Sequence, residues 1–154
     1  MEPDPQHPAT YHLGFVVPDF DETRNINGAF LGDLDFYRQF PLEVADVEYR
    51  GSTVSYSADV AFYDSGNIRV ELIQPTGDGP SPYHDHLAAH EGQASVHHVA
   101  YLVDSIDEHI ARATERGSNP RLVIGAPLPA GNGRYAYYEG LLDGIVVEFI
   151  ERHA

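Results

Sequence analysis

The chain contains no cysteine, so it forms no disulfide and offers no thiolate to a metal or a substrate. Any metal it binds must be held by imidazole and carboxylate. It also lacks any run of about 18 apolar residues, the length a helix needs to cross a bilayer. The opening stretch MEPDPQHPAT has neither the basic nor the apolar region of an export signal, and a cytoplasmic protein with no membrane contact is expected. Basic residues are scarce, nine against 24 acidic ones, for a formal net charge of −15. Nucleic acid is thereby excluded as a partner, because neutralising phosphates needs clustered Lys and Arg. Polyanionic ligands are disfavoured at long range for the same reason.

What the chain does have is 154 residues, 42% of them hydrophobic and 11% aromatic, enough for one domain with its own core. It also has nine histidines, and their positions expose a repeat. The stretch from His12 to Glu22 (HLGFVVPDFDE) recurs 86 residues later from His98 to Glu108 (HVAYLVDSIDE), with His, Val, Asp and Glu identical and most other changes conservative. A second pair, VELIQ from Val70 and VEFIE from Val147, recurs 77 residues apart. The first copy therefore carries about nine extra residues, placed between Asn25 and Ser57, where patterning is weakest.

Each copy reads as strand, helix and three strands. Residues 11–17 and 96–103 are β-branched and aromatic runs closed by turn residues, which predicts strands. Ser105 followed by Glu108 forms a capping box, Ile106, Ile110 and Ala113 give an apolar stripe, and Gly117 and Pro120 end it, which predicts a helix. Asp19 and Glu22 give the same start signal in the first copy, but Asn25, Asn27 and Gly28 make a poor helix interior. Further strands are expected at about 42–49, 53–64, 67–74, 120–125, 133–139 and 144–151, separated by glycine-rich turns. Ser81-Pro82 and Gly92 bracket a short linking helix. The organisation expected is a disordered segment over residues 1–9 and one domain over 10–154. Within it, module one covers about 10–80, the linking helix about 81–92, and module two about 93–152.

The repeat carries chemistry. By strand alternation His12 shares a face with Gly14 and Val16, and His98 with Ala100 and Leu102. Glu148 lies within Ile145–Ile150, where a carboxylate is costly to bury unless it is paired or bound to a metal. A lone strand histidine is ordinarily a hydrogen-bonded core residue. Two His and two Glu at equivalent points of two copies form a pseudo-symmetric set that core packing does not require. His12, Glu71, His98 and Glu148 are therefore the expected ligands of one divalent ion, with Zn, Mn, Co, Ni or Fe suited to those donors. His84, His86 and His90 on the linking helix are expected to be solvated surface residues.

The pattern resembles the vicinal oxygen chelate superfamily (glyoxalase, bleomycin resistance and dioxygenase proteins), and within it the branch with methylmalonyl-CoA epimerase and glyoxalase I. The resemblance runs from about Tyr11 to Glu151. It is clearest at Val60-Ala-Phe62, Val70–Pro75, His86–Gly92 and Val96-His-His-Val-Ala-Tyr101. It implies an α+β fold of two tandem βαβββ modules in a U-shaped, eight-stranded mixed sheet around a central metal. It places the four family ligand positions on His12, Glu71, His98 and Glu148, with His97 facing away. By the same resemblance Glu148 and Glu71 are candidates for the catalytic base and acid, and the function implied is proton transfer alpha to a carbonyl in a small-molecule substrate by an isomerase, epimerase or lyase. A homodimer is implied too.

Two alternatives belong to the same superfamily: an iron-dependent dioxygenase using His12, His98 and Glu148, and a metal-free binding or resistance protein. Glu71 weighs against the first by filling a position that oxygen chemistry needs open, and the retained ligand set weighs against the second. The chain departs from the epimerases in the short acidic stretch Glu139–Gly144, where a CoA phosphate finds little to hold it. It departs again in the first-copy insertion around Asn27–Tyr49. Tyr135, Tyr137 and Tyr138 on the seventh strand are either core or the lining of a pocket for a cyclic, neutral substrate.

Overall fold

The computed structural model describes residues 8–31 and 35–153, with the side chains of 27–31 excepted. The elements run β1 (Thr10–Val16), α1 (Phe20–Leu31), β2 (Arg38–Tyr49), β3 (Ser52–Ser65), β4 (Ile68–Thr76), α2 (Pro82–Ala89), β5 (Ser95–Val103), α3 (Ile106–Glu115), β6 (Arg121–Pro127), β7 (Gly133–Leu142) and β8 (Ile145–Arg152). This is βαβββ twice with a helix between, as the repeat predicts. All eight strands belong to one mixed sheet in the order β2-β3-β4-β1-β5-β8-β7-β6, so the fold is α+β. No helix is long and apolar enough to cross a membrane among the described residues. The disorder expected of residues 1–9 falls, up to residue 7, outside the described residues. The Ala9 carbonyl accepts a hydrogen bond from the Leu102 amide at 3.3 Å.

The chain divides into two compact units, one of Met1–His12, Val47–Thr53 and His98–Ala154, the other of Leu13–Asp46 and Val54–His97. In the second unit β1 runs parallel to β4, with Gly14 opposite Glu71, and β3 runs antiparallel to β4, with Phe62 opposite Glu71. In the first unit β5 runs parallel to β8, with Ala100 opposite Glu148, and β7 runs antiparallel to β8, with Tyr137 opposite Glu148. The two registers are copies of each other.

The core of each unit follows from alternation. Val70, Leu72, Ala61 and Tyr63 turn to one sheet face and bury against Val17 and Phe20 at the start of α1. Val147, Phe149 and Ala136 do the same against Val103 at the end of β5 and Ile106 at the start of α3. Burying side chains of this size stabilises by about 1.5–3 kcal/mol each, and it commits the opposite face to the intervening residues, among them Glu71 and Glu148.

The helix starts repeat as well. Asp19 accepts from the Glu22 amide at 2.8 Å, and Ser105 Oγ from the Glu108 amide at 3.2 Å. A side chain from the closing strand supplies a further acceptor. Gln74 Oε1 takes the Phe20 amide and Glu151 Oε2 the Ile106 amide, both at 2.8 Å, which satisfies a donor that a helix leaves open. These caps and the burial of Phe20 offset the poor interior of α1, so it forms despite Asn25, Asn27 and Gly28. The extra length of the first copy goes mainly into its outer hairpin. β2 and β3 have 12 and 14 residues against 7 and 10 for β6 and β7. β2 starts at Arg38, earlier than the expected 42, because Phe40 stacks on Phe62 of β3 with centroids 6.3 Å apart. β7 runs on to Leu142 through a register shift after Tyr138. Gly140 sits there at φ 84°, and a Cβ would collide with the Asn119 carbonyl oxygen.

Candidate metal centre

His12 on β1, His98 on β5 and Glu148 on β8 converge. His12 Nε2 lies 2.9 Å from His98 Nε2 and 3.0 Å from Glu148 Oε2, and His98 Nε2 lies 3.1 Å from the same oxygen. All three residues are buried, at 2%, 0% and 6% exposure. They are the one group of three or more metal-ligating side chains close enough to share an ion among the described residues.

The shape of this triangle is informative. A ring nitrogen points its N–H or lone pair along one direction, so it cannot make straight hydrogen bonds to two atoms that subtend about 60° at it. If each imidazole donates to the carboxylate, the two Nε2 donors are left facing each other at 2.9 Å. A cation resolves the conflict, since all three lone pairs then aim at one point. First-row divalent ions take these donors at about 2.0–2.2 Å, and cis ligands of an octahedron at that distance lie roughly 3.0 Å apart, against roughly 3.4 Å for a tetrahedron. The observed edges of 2.9, 3.0 and 3.1 Å fit an octahedral face. Two imidazoles and one carboxylate on such a face leave three positions for other ligands.

Burial pushes the Glu148 carboxyl upward, but the charge of His98 and the hydrogen bonds and charge of the two imidazoles outweigh it and hold the group at about 2. The carboxylate is thus ionised and fit for a cation.

Glu71, the fourth expected ligand, belongs to the other compact unit. It is buried, at 9% exposure, and its place on β4 opposite Gly14 repeats that of Glu148 opposite Ala100. Cross-strand partners project to the same face, and Gly14 shares its face with His12. The small residue two positions after each histidine now has a reason: it stands beside a glutamate, where a large side chain would crowd the carboxylate.

Tyr137 was expected to be either core or pocket lining. It sits opposite Glu148 on β7 and is 2% exposed. Its ring centroid lies 5.0 Å from that of His98, so it is both core and wall of the site. Phe62 takes the equivalent position beside Glu71. The signal for both was the hairpin register, which spacing alone does not reveal. His97 does face away: it is 5% exposed, and its ring meets those of Tyr83 and His86 edge-on at 5.6 and 4.9 Å. The linker histidines are engaged with the protein more than expected. His84 pairs with Ser81 Oγ at 2.6 Å, His86 with Ser95 Oγ at 2.7 Å, and His86 stacks on His90 at 4.1 Å.

Comparison with known proteins agrees with this architecture. A curated relative, the uncharacterised protein YqjC of Bacillus subtilis (strain 168), is 26% identical over 143 residues, covering 91% of this chain and 89% of its own. Among solved structures, the hypothetical protein BH1468 of Bacillus halodurans C-125 superposes with a TM-score of 0.63 at 22% identity, over 95% of both chains. Methylmalonyl-CoA epimerase of Mycobacterium tuberculosis superposes with a TM-score of 0.62 at 16% identity, over 94% of this chain and 88% of that one. Identities this low establish a shared fold. The model of one protein family matches residues 11–138, most of the chain: the protein belongs to the glyoxalase/bleomycin resistance protein/dioxygenase superfamily.

Proposed function

We propose that the protein is a metal-dependent enzyme that moves a proton at a carbon alpha to a carbonyl, as an isomerase, epimerase or lyase acting on a small substrate. The observation that carries this reading is the His12, His98 and Glu148 triangle with its octahedral edge lengths. Glu71 is the fourth ligand candidate, supported by its register with Gly14. A divalent ion held there supplies Lewis acidity toward neighbouring substrate oxygens.

The chain's own residues divide the remaining work. Glu148, whose Oε2 lies 3.0 and 3.1 Å from the two imidazoles, is the fixed anion of the site. Glu71 is assigned the proton on the substrate carbon, which it must approach to within about 3 Å. Tyr137 and Phe62 wall the two carboxylates and exclude water around them. The turn after β7, Asp143-Gly144, carries no basic residue for a CoA phosphate, which favours a substrate smaller than the CoA thioester named for the epimerase.

The test has two parts. Protein purified without chelator or polyhistidine tag is analysed for bound metal, and stoichiometric metal is expected. A panel of small carbonyl compounds is then incubated with it in deuterated water, where deuterium should enter carbon alpha of a substrate. Absence of metal, or turnover that consumes dioxygen with no deuterium uptake, overturns the proposal. The second outcome favours the dioxygenase reading, whose specific support is that the converged cluster is itself a set of two His and one carboxylate.

A further inference from the structure

The nine basic residues are all arginine, and most are already engaged. Arg24 and Arg121 each lie 3.9 Å from a carboxylate oxygen, Arg134 lies 3.1 Å from Asp107 and 3.2 Å from Glu151, and Arg152 donates to Tyr11 Oη at 2.7 Å. Arg38 differs. No carboxylate pairs with it among the described residues, and its guanidinium stands over aromatic rings, 4.7 Å from the centroid of Phe40 and 5.8 Å from that of Phe62.

Its position matters because Phe62 is the cross-strand partner of Glu71. Arg38 is therefore held by the ring that walls Glu71, on the same face of the sheet, roughly 10 Å from that residue on cross-strand spacings. Arg69, two residues before Glu71 on β4, shares the face by alternation. A chain of net charge −15 thus places two of its nine cations around one of its two candidate site carboxylates. Two aromatic faces fix the guanidinium and keep its N–H edge for an oxyanion, which it binds in bidentate fashion. One such arginine suits a carboxylate and is too little for a polyphosphate.

We propose that Arg38 anchors a carboxylate on the substrate remote from the reacting carbon, so that the substrate class is a small carbonyl compound carrying such a group rather than a neutral ring or a nucleotide thioester. The inference rests on Glu71 belonging to the active site as proposed above. Within it Arg38 is a specificity residue: it touches substrate but takes no part in proton transfer.

The test uses matched acids. 2-Oxoadipate and 2-oxohexanoate differ only in the distal carboxylate, as do the longer 2-oxosuberate and 2-oxooctanoate. Their affinities are measured by titration calorimetry on the full chain after its metal content has been determined. At least one diacid should bind about tenfold or more tightly than its matched monoacid, the factor that about 1.4 kcal/mol represents. Arg38→Gln should remove that preference and leave the monoacid affinity unchanged, while Arg38→Lys should keep part of it. The side chain is exposed, so neither change threatens the fold. Equal binding of both members of each pair, a preference that survives Arg38→Gln, or no binding of any acid by metal-loaded protein overturns this inference and leaves the metal site standing. Protein that holds no metal defeats both.

Discussion

Replacing Glu148 by glutamine separates charge from shape at the centre of the triangle. The carboxylate is buried, and its pKa lies at about 2 in the folded protein against an ordinary 4.5. That difference corresponds to roughly 3 kcal/mol of stability in the metal-free protein. Since the folded value lies below the unfolded one, the contribution is fully present above about pH 4.5 and drains away as the pH falls toward about 2. Metal-free wild type and Glu148→Gln should be unfolded in urea at several pH values between 7 and 3. The variant should be less stable by roughly 3 kcal/mol at neutral pH, with the gap narrowing below pH 4.5 and the urea dependence unchanged. A buried ion can also cost more in desolvation than its partners return, in which case a neutral replacement is harmless or stabilising. A variant as stable as wild type at pH 7, or a gap that does not vary with pH, would show that the two imidazoles do not compensate this charge, and the reasoning would fail.

His98→Ala removes one of three converging donors. Binding energies of about 10–16 kcal/mol shared among four ligands imply roughly 3 kcal/mol for one, so metal affinity should drop at least a hundredfold, with the far-ultraviolet dichroism retained; unchanged stoichiometric binding would exclude His98 as a ligand. Cobalt(II) placed in the wild-type site should give the weak visible absorption of six-coordinate cobalt, and intense tetrahedral bands would contradict the octahedral face. Glu71→Gln keeps an oxygen donor but loses basicity, so turnover of an identified substrate should fall by roughly 10²–10⁴-fold with metal retained; full activity would move the base elsewhere. A homodimer is expected from the family resemblance, and sedimentation that finds only a species near the 17.0 kDa chain mass would refute it.

Much of the architecture was legible because it repeats. His12 with His98 and Glu71 with Glu148 fall at equivalent points of two copies, and alternation along a strand assigns each to a face with no tertiary information. The same logic turned His97 away from the site. Helix α1 was harder to read, because Asn25, Asn27 and Gly28 argue against it locally while its stability comes from Phe20 in the core and from Gln74 at its first turn, contacts made by residues far along the chain.

That His12, His98 and Glu148 would meet was legible in the repeat, but the spacing of their donor atoms was not. Only the fold brings the donor atoms of His12 on β1, His98 on β5 and Glu148 on β8 to within 2.9–3.1 Å of one another. Tyr137 and Phe62 reach the glutamates through the registers of antiparallel hairpins. A shift of one residue in such a register would send each ring to the opposite face. Arg38 reads as one more surface charge until β2 is extended past Pro41 and laid beside β3. The sequence by itself determined the periodicities, and through them the elements and their faces, because those depend on neighbours two to four residues apart. The pairing of faces into a site was decided by tertiary structure, because it depends on hydrogen bonds and packing between residues tens of positions apart.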